Sequence, residues 1–98
     1  MNSLQDPTTH VLKTWPTYFH AVKSGKKPFE VRRADRGFRV DDILHLKEYD
    51  PTLETYTGDE ILRIVTYRLD GPGFGIEEGY CVLGLAKALP ALSDEVAP

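Results

Sequence analysis

The sequence predicts an α+β fold: a small, curved, mixed β-barrel of about five short strands with one helix near the N-terminus. Three observations point there. Several short runs alternate apolar and polar residues between Gly, Pro and Asp turns, the period-two pattern of half-buried strands. Only one stretch, 16–24, has helical spacing, opened by a proline and followed by a glycine. The chain has 98 residues, too few for a second domain or for two packed layers, and closing a sheet encloses a core with few residues.

The elements follow in order. Residues 1–9 are polar, carry Pro7, and read as a loose leader. His10 to Trp15 is a short strand; Trp15 could offer a platform for stacking a base, but beside a helix start it reads rather as core. Pro16 fits the first helical position, where its missing N–H costs nothing. Tyr18, Phe19 and Val22 follow at helical spacing, and Gly25 between Lys23 and Lys26 is the stop. A helix this short is not stable alone, so its apolar face must dock on the sheet. Phe29 and Val31 then alternate with Glu30 and Arg32. The expectation is that Phe29 and Val31 face the core while Glu30 and Arg32 point together to a wet or pocket-facing side.

Asp35-Arg36-Gly37 is a turn, and Asp41-Asp42 leads into a strand at Ile43 to Tyr49. Asp50 through Gly58 has turn and loop chemistry. Glu60 to Leu69 reads as a long strand, broken by Asp70-Gly71-Pro72-Gly73. Tyr80 to Leu85 is apolar on both faces, as a central strand is. Residues 88–98 read as a frayed tail, leaving 10–87 as the one domain.

Composition excludes several classes. An apolar fraction of 41 % is too high for a disordered chain. Cys81 is alone, which rules out an internal disulfide and a Cys-rich zinc site and favours a reducing compartment. A buried, inert thiol in the last strand is expected. His10, His20 and His45 lack close zinc-ligand spacing, so no metal and no cofactor is expected. No apolar run is long enough to span a membrane, and Met1 to Thr9 has no secretory pattern; the expected location is cytoplasmic. Gly71 to Gly75 is Gly-rich but follows no phosphate-loop pattern.

Charge is unevenly spread. The net charge is −3, yet Lys23 to Arg39 holds seven basic residues and two acidic ones. The remainder holds five basic and thirteen acidic. A compact basic patch on an acidic body suits a local anionic ligand better than a long duplex, although such runs are often only solvated faces.

The densest chemistry lies in Gly25-Lys26-Lys27-Pro28-Phe29-Glu30-Val31-Arg32. Glycine ends the helix and lets the backbone turn. Glu30 can pair with Arg32 or Lys27 and hold the set in place. Lysine offers a compact charge, or a base or nucleophile when desolvated. Arginine offers a planar fork for phosphate or a flat face for stacking on a base.

Gly-x-Lys-x-x-Glu-x-Arg after a short helix resembles the motif of the ASCH domain (activating signal cointegrator homology), a β-barrel related to the PUA RNA-binding domain. Gly25, Lys27, Glu30 and Arg32 fill its four positions. The likeness extends over about residues 10–85 to a small bacterial and phage branch of unknown function. It rests on His10, Leu12 and Lys13, then Tyr18-Phe19, Asp35-Arg36 and Phe38, Leu44, Leu46 and Glu48, and Tyr56-Thr57-Gly58. The chain departs at Asp41, where that branch has the glycine of a Gly-Asp turn, and at Asp59, where a basic residue is common.

The resemblance implies a PUA-like barrel that binds RNA, a nucleotide or a nucleoside in a cleft between helix and barrel. Lys27 and Arg32 would contact phosphate or base and Glu30 would orient them. Lys13, His10, Arg33 and Arg36 would extend the binding surface. Some relatives look like metal-independent hydrolases, either ribonucleases or an amidohydrolase of an acylated cytidine. That implies an alternative in which Lys27 is the base beside Glu30, although the amidohydrolases carry threonine at the Glu30 position. A third reading is a protein-interaction or inhibitor module whose acidic body meets the partner.

Overall fold

The computed structural model describes residues 6–87. Most of the expected leader and the whole expected tail, 1–5 and 88–98, lie outside the described residues. The elements are β1 (Thr9–Thr14), α1 (Pro16–Lys23), β2 (Phe29–Arg33), β3 (Ile43–Asp50), β4 (Thr55–Asp70) and β5 (Tyr80–Lys87). They form one five-stranded sheet in the order β1-β3-β4-β5-β2. β1 and β3 are parallel, and every other pair is antiparallel.

The fold is thus a small α+β half-barrel of five mixed strands and one helix, as expected at that level. The backbone ladder does not close into a full barrel: β1 and β2 are its two edges. Bulges between Lys47 and Tyr49 and between Val65 and Tyr67 bend the long β3–β4–β5 meander. Gly84 sits beside the second bulge, where an added Cβ would lie 2.9 Å from Thr66 Oγ1. The core between the curled sheet and α1 contains Leu12, Phe19, Val22, Phe38, Leu44, Leu46, Val65, Cys81, Leu83 and Leu85. Cys81 is free and buried there, and burial pushes its thiol pKa up, as an inert thiol requires.

Local chemistry explains the helix. Pro16 occupies its first turn, and Phe19 and Val22 are its buried residues. At its end Gly25 adopts φ +85°. There the Gly25 N–H donates to Val22 C=O at 3.0 Å and the Lys27 N–H to Ala21 C=O at 2.9 Å. A left-handed glycine that reverses the chain under its own helix is the usual C-terminal device. Its consequence here is to bring Lys27 and the start of β2 beneath α1.

Two expectations are corrected. The segment 50–58 is mostly strand: the turn spans only 51–54, and β4 starts at Thr55. Asp50 Oδ1 accepts the amides of Thr52 and Leu53 at 2.8 and 3.2 Å, and Tyr49 meets Tyr56 edge-to-face at 5.0 Å. Those contacts extend the hairpin beyond the reach of residue propensity. In β2 the faces are inverted. Glu30 is buried opposite Leu83, and Arg32 stands opposite buried Cys81, while Phe29 and Val31 are exposed.

Asp41 has φ +80°, so this turn does demand the left-handed backbone that glycine adopts freely. Asp41→Gly is expected to raise stability by about 0.5–1 kcal/mol, the relieved strain less glycine's entropy cost. Urea denaturation checks it; an unchanged or lower midpoint would show that Asp41 is unstrained.

Candidate functional site

The gap between the edges β1 and β2, roofed by α1, is a cleft of about 470 Å³. Lys13, Thr14 and Trp15 form one wall, Tyr18 comes from α1, and Lys27, Glu30, Val31 and Arg32 complete the lining. All of Lys27, Glu30 and Arg32 therefore meet in one concavity.

Glu30 is its anchor. Its carboxylate is buried and takes one cation on each oxygen: Lys27 Nζ at 3.0 Å from Oε2 and Arg32 Nε at 3.0 Å from Oε1. Arg32 then reaches across the gap. Its Nη1 donates to Lys13 C=O at 3.2 Å and its Nη2 to Thr14 Oγ1 at 3.0 Å. The two sheet edges that share no ladder are thus clasped by one guanidinium.

The clasp leaves capacity for a ligand. A guanidinium has five N–H donors and an ammonium three. Arg32 uses three of its donors and Lys27 one. Lys27 Nζ also lies 5.1 Å from the Tyr18 ring centroid and 5.5 Å from that of Phe29, a cation among aromatic faces. The arrangement carries two cations against one carboxylate, with Lys13 at the rim.

Trp15 is the cleft residue that the sequence reading assigned to the core. It is 53 % exposed and lines the cleft instead of entering the core. The signal was present in strand parity. His10, Leu12 and Thr14 point inward and Val11 and Lys13 outward, so the next residue points outward. Trp15 is the helix N-cap with extended backbone, φ −67° and ψ 152°, and so follows the strand period. Tyr18, also 53 % exposed, presents the matching aromatic surface from the helix.

Other expected residues fall elsewhere. His10 is not in the cleft: it is buried, with Nε2 2.9 Å from Asp42 Oδ2 and its ring 4.7 Å from that of Phe38. Its inward strand position turns it into the core. Arg33 and Arg36 line a neighbouring hollow with Arg32. A second buried carboxylate, Glu48, lies on the other flank of α1. It accepts from Thr57 Oγ1 at 2.7 Å and contacts His20 Nε2 at 2.9 Å, seating the helix on the β3–β4 hairpin. Among the described residues no group of His, Cys, Asp and Glu could hold a metal ion. No helix among them is long and apolar enough to cross a membrane.

Fold and site together define a small half-barrel with an aromatic-lined, cationic cleft at its open seam. Residues 9–85 match the family described as a domain of unknown function, DUF3850. The chain belongs to that family. Comparison with curated proteins finds no match.

Proposed function

We propose that the cleft binds a nucleotide, presented most simply by single-stranded RNA. The observation that carries this reading is the pairing of two half-exposed aromatics, Trp15 and Tyr18, with unspent donors on Lys27 and Arg32 in one cavity. A base has a π-face that stacks on exposed rings, and a phosphate takes charge-assisted hydrogen bonds. Glu30 fixes both cations in place, so little ordering remains to be done on binding. Shape complements chemistry: a concave site with few, convergent polar groups is the usual form of a small-ligand pocket.

The half-barrel and the gathering of Gly25, Lys27, Glu30 and Arg32 at one seam also support placing the chain in the ASCH and PUA-like superfamily. A free, buried Cys81 fits a reducing, cytoplasmic setting. The binding reading is preferred over hydrolysis because Lys27 Nζ is held on a carboxylate, a geometry for presenting charge rather than for accepting a proton.

A single gel tests this. End-labelled, short single-stranded RNA is incubated with wild type and with Lys27→Ala, in chelator and in Mg²⁺, then run native and denaturing. The expected result is a native shift with intact RNA, weakened by salt and reduced about 10-fold or more by the variant. New bands from wild type alone would replace binding by a nuclease using Lys27. A shift unaffected by Lys27→Ala would move the interaction off the cleft. Neither shift nor cleavage would remove RNA as the ligand and leave a small nucleoside or nucleotide, or a protein partner on the acidic body.

A further inference from the structure

The cleft and a second hollow share Arg32 as a common wall. The smaller hollow, about 160 Å³, is lined by Leu12, Arg32, Arg33, Asp35, Arg36 and Phe38. The two follow one another along the same seam. Leu12 borders the small hollow and Lys13 to Trp15 the cleft, with the Arg32 clasp between them.

The arginines here differ from the others. Arg39 lies beside Asp42, Arg63 reaches helix carbonyls, and Arg68 pairs with Asp70. Arg33 and Arg36 have neither a carboxylate nor a carbonyl partner among the described residues. Each guanidinium lies only near a ring, Arg33 at 5.7 Å from Tyr80 and Arg36 at 5.8 Å from Phe38. A ring contact restrains a guanidinium while leaving its edge N–H donors unspent. Asp35, the one carboxylate on this lining, forms no ion pair with either. Two unpaired guanidinium groups beside a third that still has free donors make a site for an oxyanion.

We propose that this hollow is a phosphate subsite. It rests on the nucleotide reading of the cleft and divides that ligand in two. The base lies on the Trp15 and Tyr18 side of Arg32. The phosphate attached to its sugar lies between Arg33 and Arg36, and Arg32 touches both parts. A terminal phosphomonoester and an internal phosphodiester of a strand offer the same chemistry.

The test is an NMR titration of ¹⁵N-labelled wild type and an Arg33→Gln/Arg36→Gln double variant at constant ionic strength. Both side chains are exposed and unbonded, so the variant keeps the fold. The probes are inorganic phosphate, the common ribonucleosides, their 5′-monophosphates, and the corresponding dinucleoside monophosphates. Inorganic phosphate is expected to shift the amides of 32–38 in wild type only. The monophosphates are expected to bind about 10- to 100-fold more tightly than the nucleosides in wild type, and about equally in the variant. An equal gain from the dinucleotides identifies an internal phosphodiester as the source; a gain confined to the monophosphates identifies a terminal one. Nucleosides that shift the amides of 14–18 while phosphate leaves 32–38 still would overturn the subsite and leave the cleft reading intact. Full advantage of the monophosphates in the double variant would overturn it too. Phosphate shifts with no response to any nucleoside or nucleotide would leave a bare oxyanion site and sink the reading on which this one rests.

Discussion

Glu30→Gln is expected to lower the stability of the protein by about 3 kcal/mol, near the low end of the cost of breaking a buried ion pair. Glu30 is 3 % exposed and holds two cations, Lys27 and Arg32, one on each oxygen. Glutamine keeps the volume but puts a donor where an acceptor stood. Two positive groups would then face each other over a buried amide. Lys27 and Arg32 retain some exposure, 19 % and 22 % of their side chains, so water softens the penalty. The clasp also loosens, because Arg32 Nε loses the contact that aims the guanidinium at Lys13 and Thr14. Ligand affinity should fall with it. The measurement is urea denaturation of Glu30→Gln and of Glu30→Gln/Lys27→Met. The single variant loses stability, and the double variant recovers part of it by removing one of the two stranded charges. A single-variant loss below about 0.5 kcal/mol, the usual range for a surface site, would show that Glu30 is solvated.

The same residue shows where sequence reasoning stops. Alternation put Glu30 and Arg32 together on one face of β2, read as wet or pocket-facing, and both line the cleft. It failed on which face turns inward, because an apolar-in rule sends Phe29 and Val31 to the core. The register with β5 decides otherwise, pairing Glu30 with Leu83 and Arg32 with Cys81. β2 is an edge strand, and inward charge on an edge also discourages pairing with another chain. No local pattern carries that information. The helix was legible because Pro16 and Gly25 are local signals with fixed backbone meaning. Trp15 was sent to the core because a large apolar residue beside a helix start is usually buried, whereas strand parity carries it outward into the cleft. His10 and Glu48 carry no local sign that a distant Asp42 or Thr57 completes them.

Asp42→Asn is expected to cost about 3 kcal/mol at neutral pH, and the cost should shrink in acid. Asp42 is 1 % exposed at the joint where β1 enters the sheet beside β3. Its carboxylate accepts the Thr8 amide at 3.0 Å, the Arg39 amide at 2.9 Å and His10 Nε2 at 2.9 Å, with Arg39 Nη2 at 3.7 Å. Burial pushes this carboxyl up, but the hydrogen bonds from His10, Thr8 and Arg39 together outweigh it. The net effect holds it below its usual value of 3.8. A native pKa below the unfolded one means that the unfolded chain binds the proton more readily. The stabilisation is therefore complete above the usual carboxylate range and is lost as pH falls through the lowered native value. Asparagine has no such proton to take up. The wild-type advantage over Asp42→Asn, read from urea midpoints at pH 7, 5 and 3.5, should start to narrow in the last step and not in the first. A gap that stays constant with pH would mean that shape alone, not charge, fills this joint. A narrowing gap, with nucleotide affinity per folded molecule unchanged in Asp42→Asn, would assign His10 to the frame that holds β1 against β3. The ligand contacts would then belong to the Lys27 and Arg32 side of the seam.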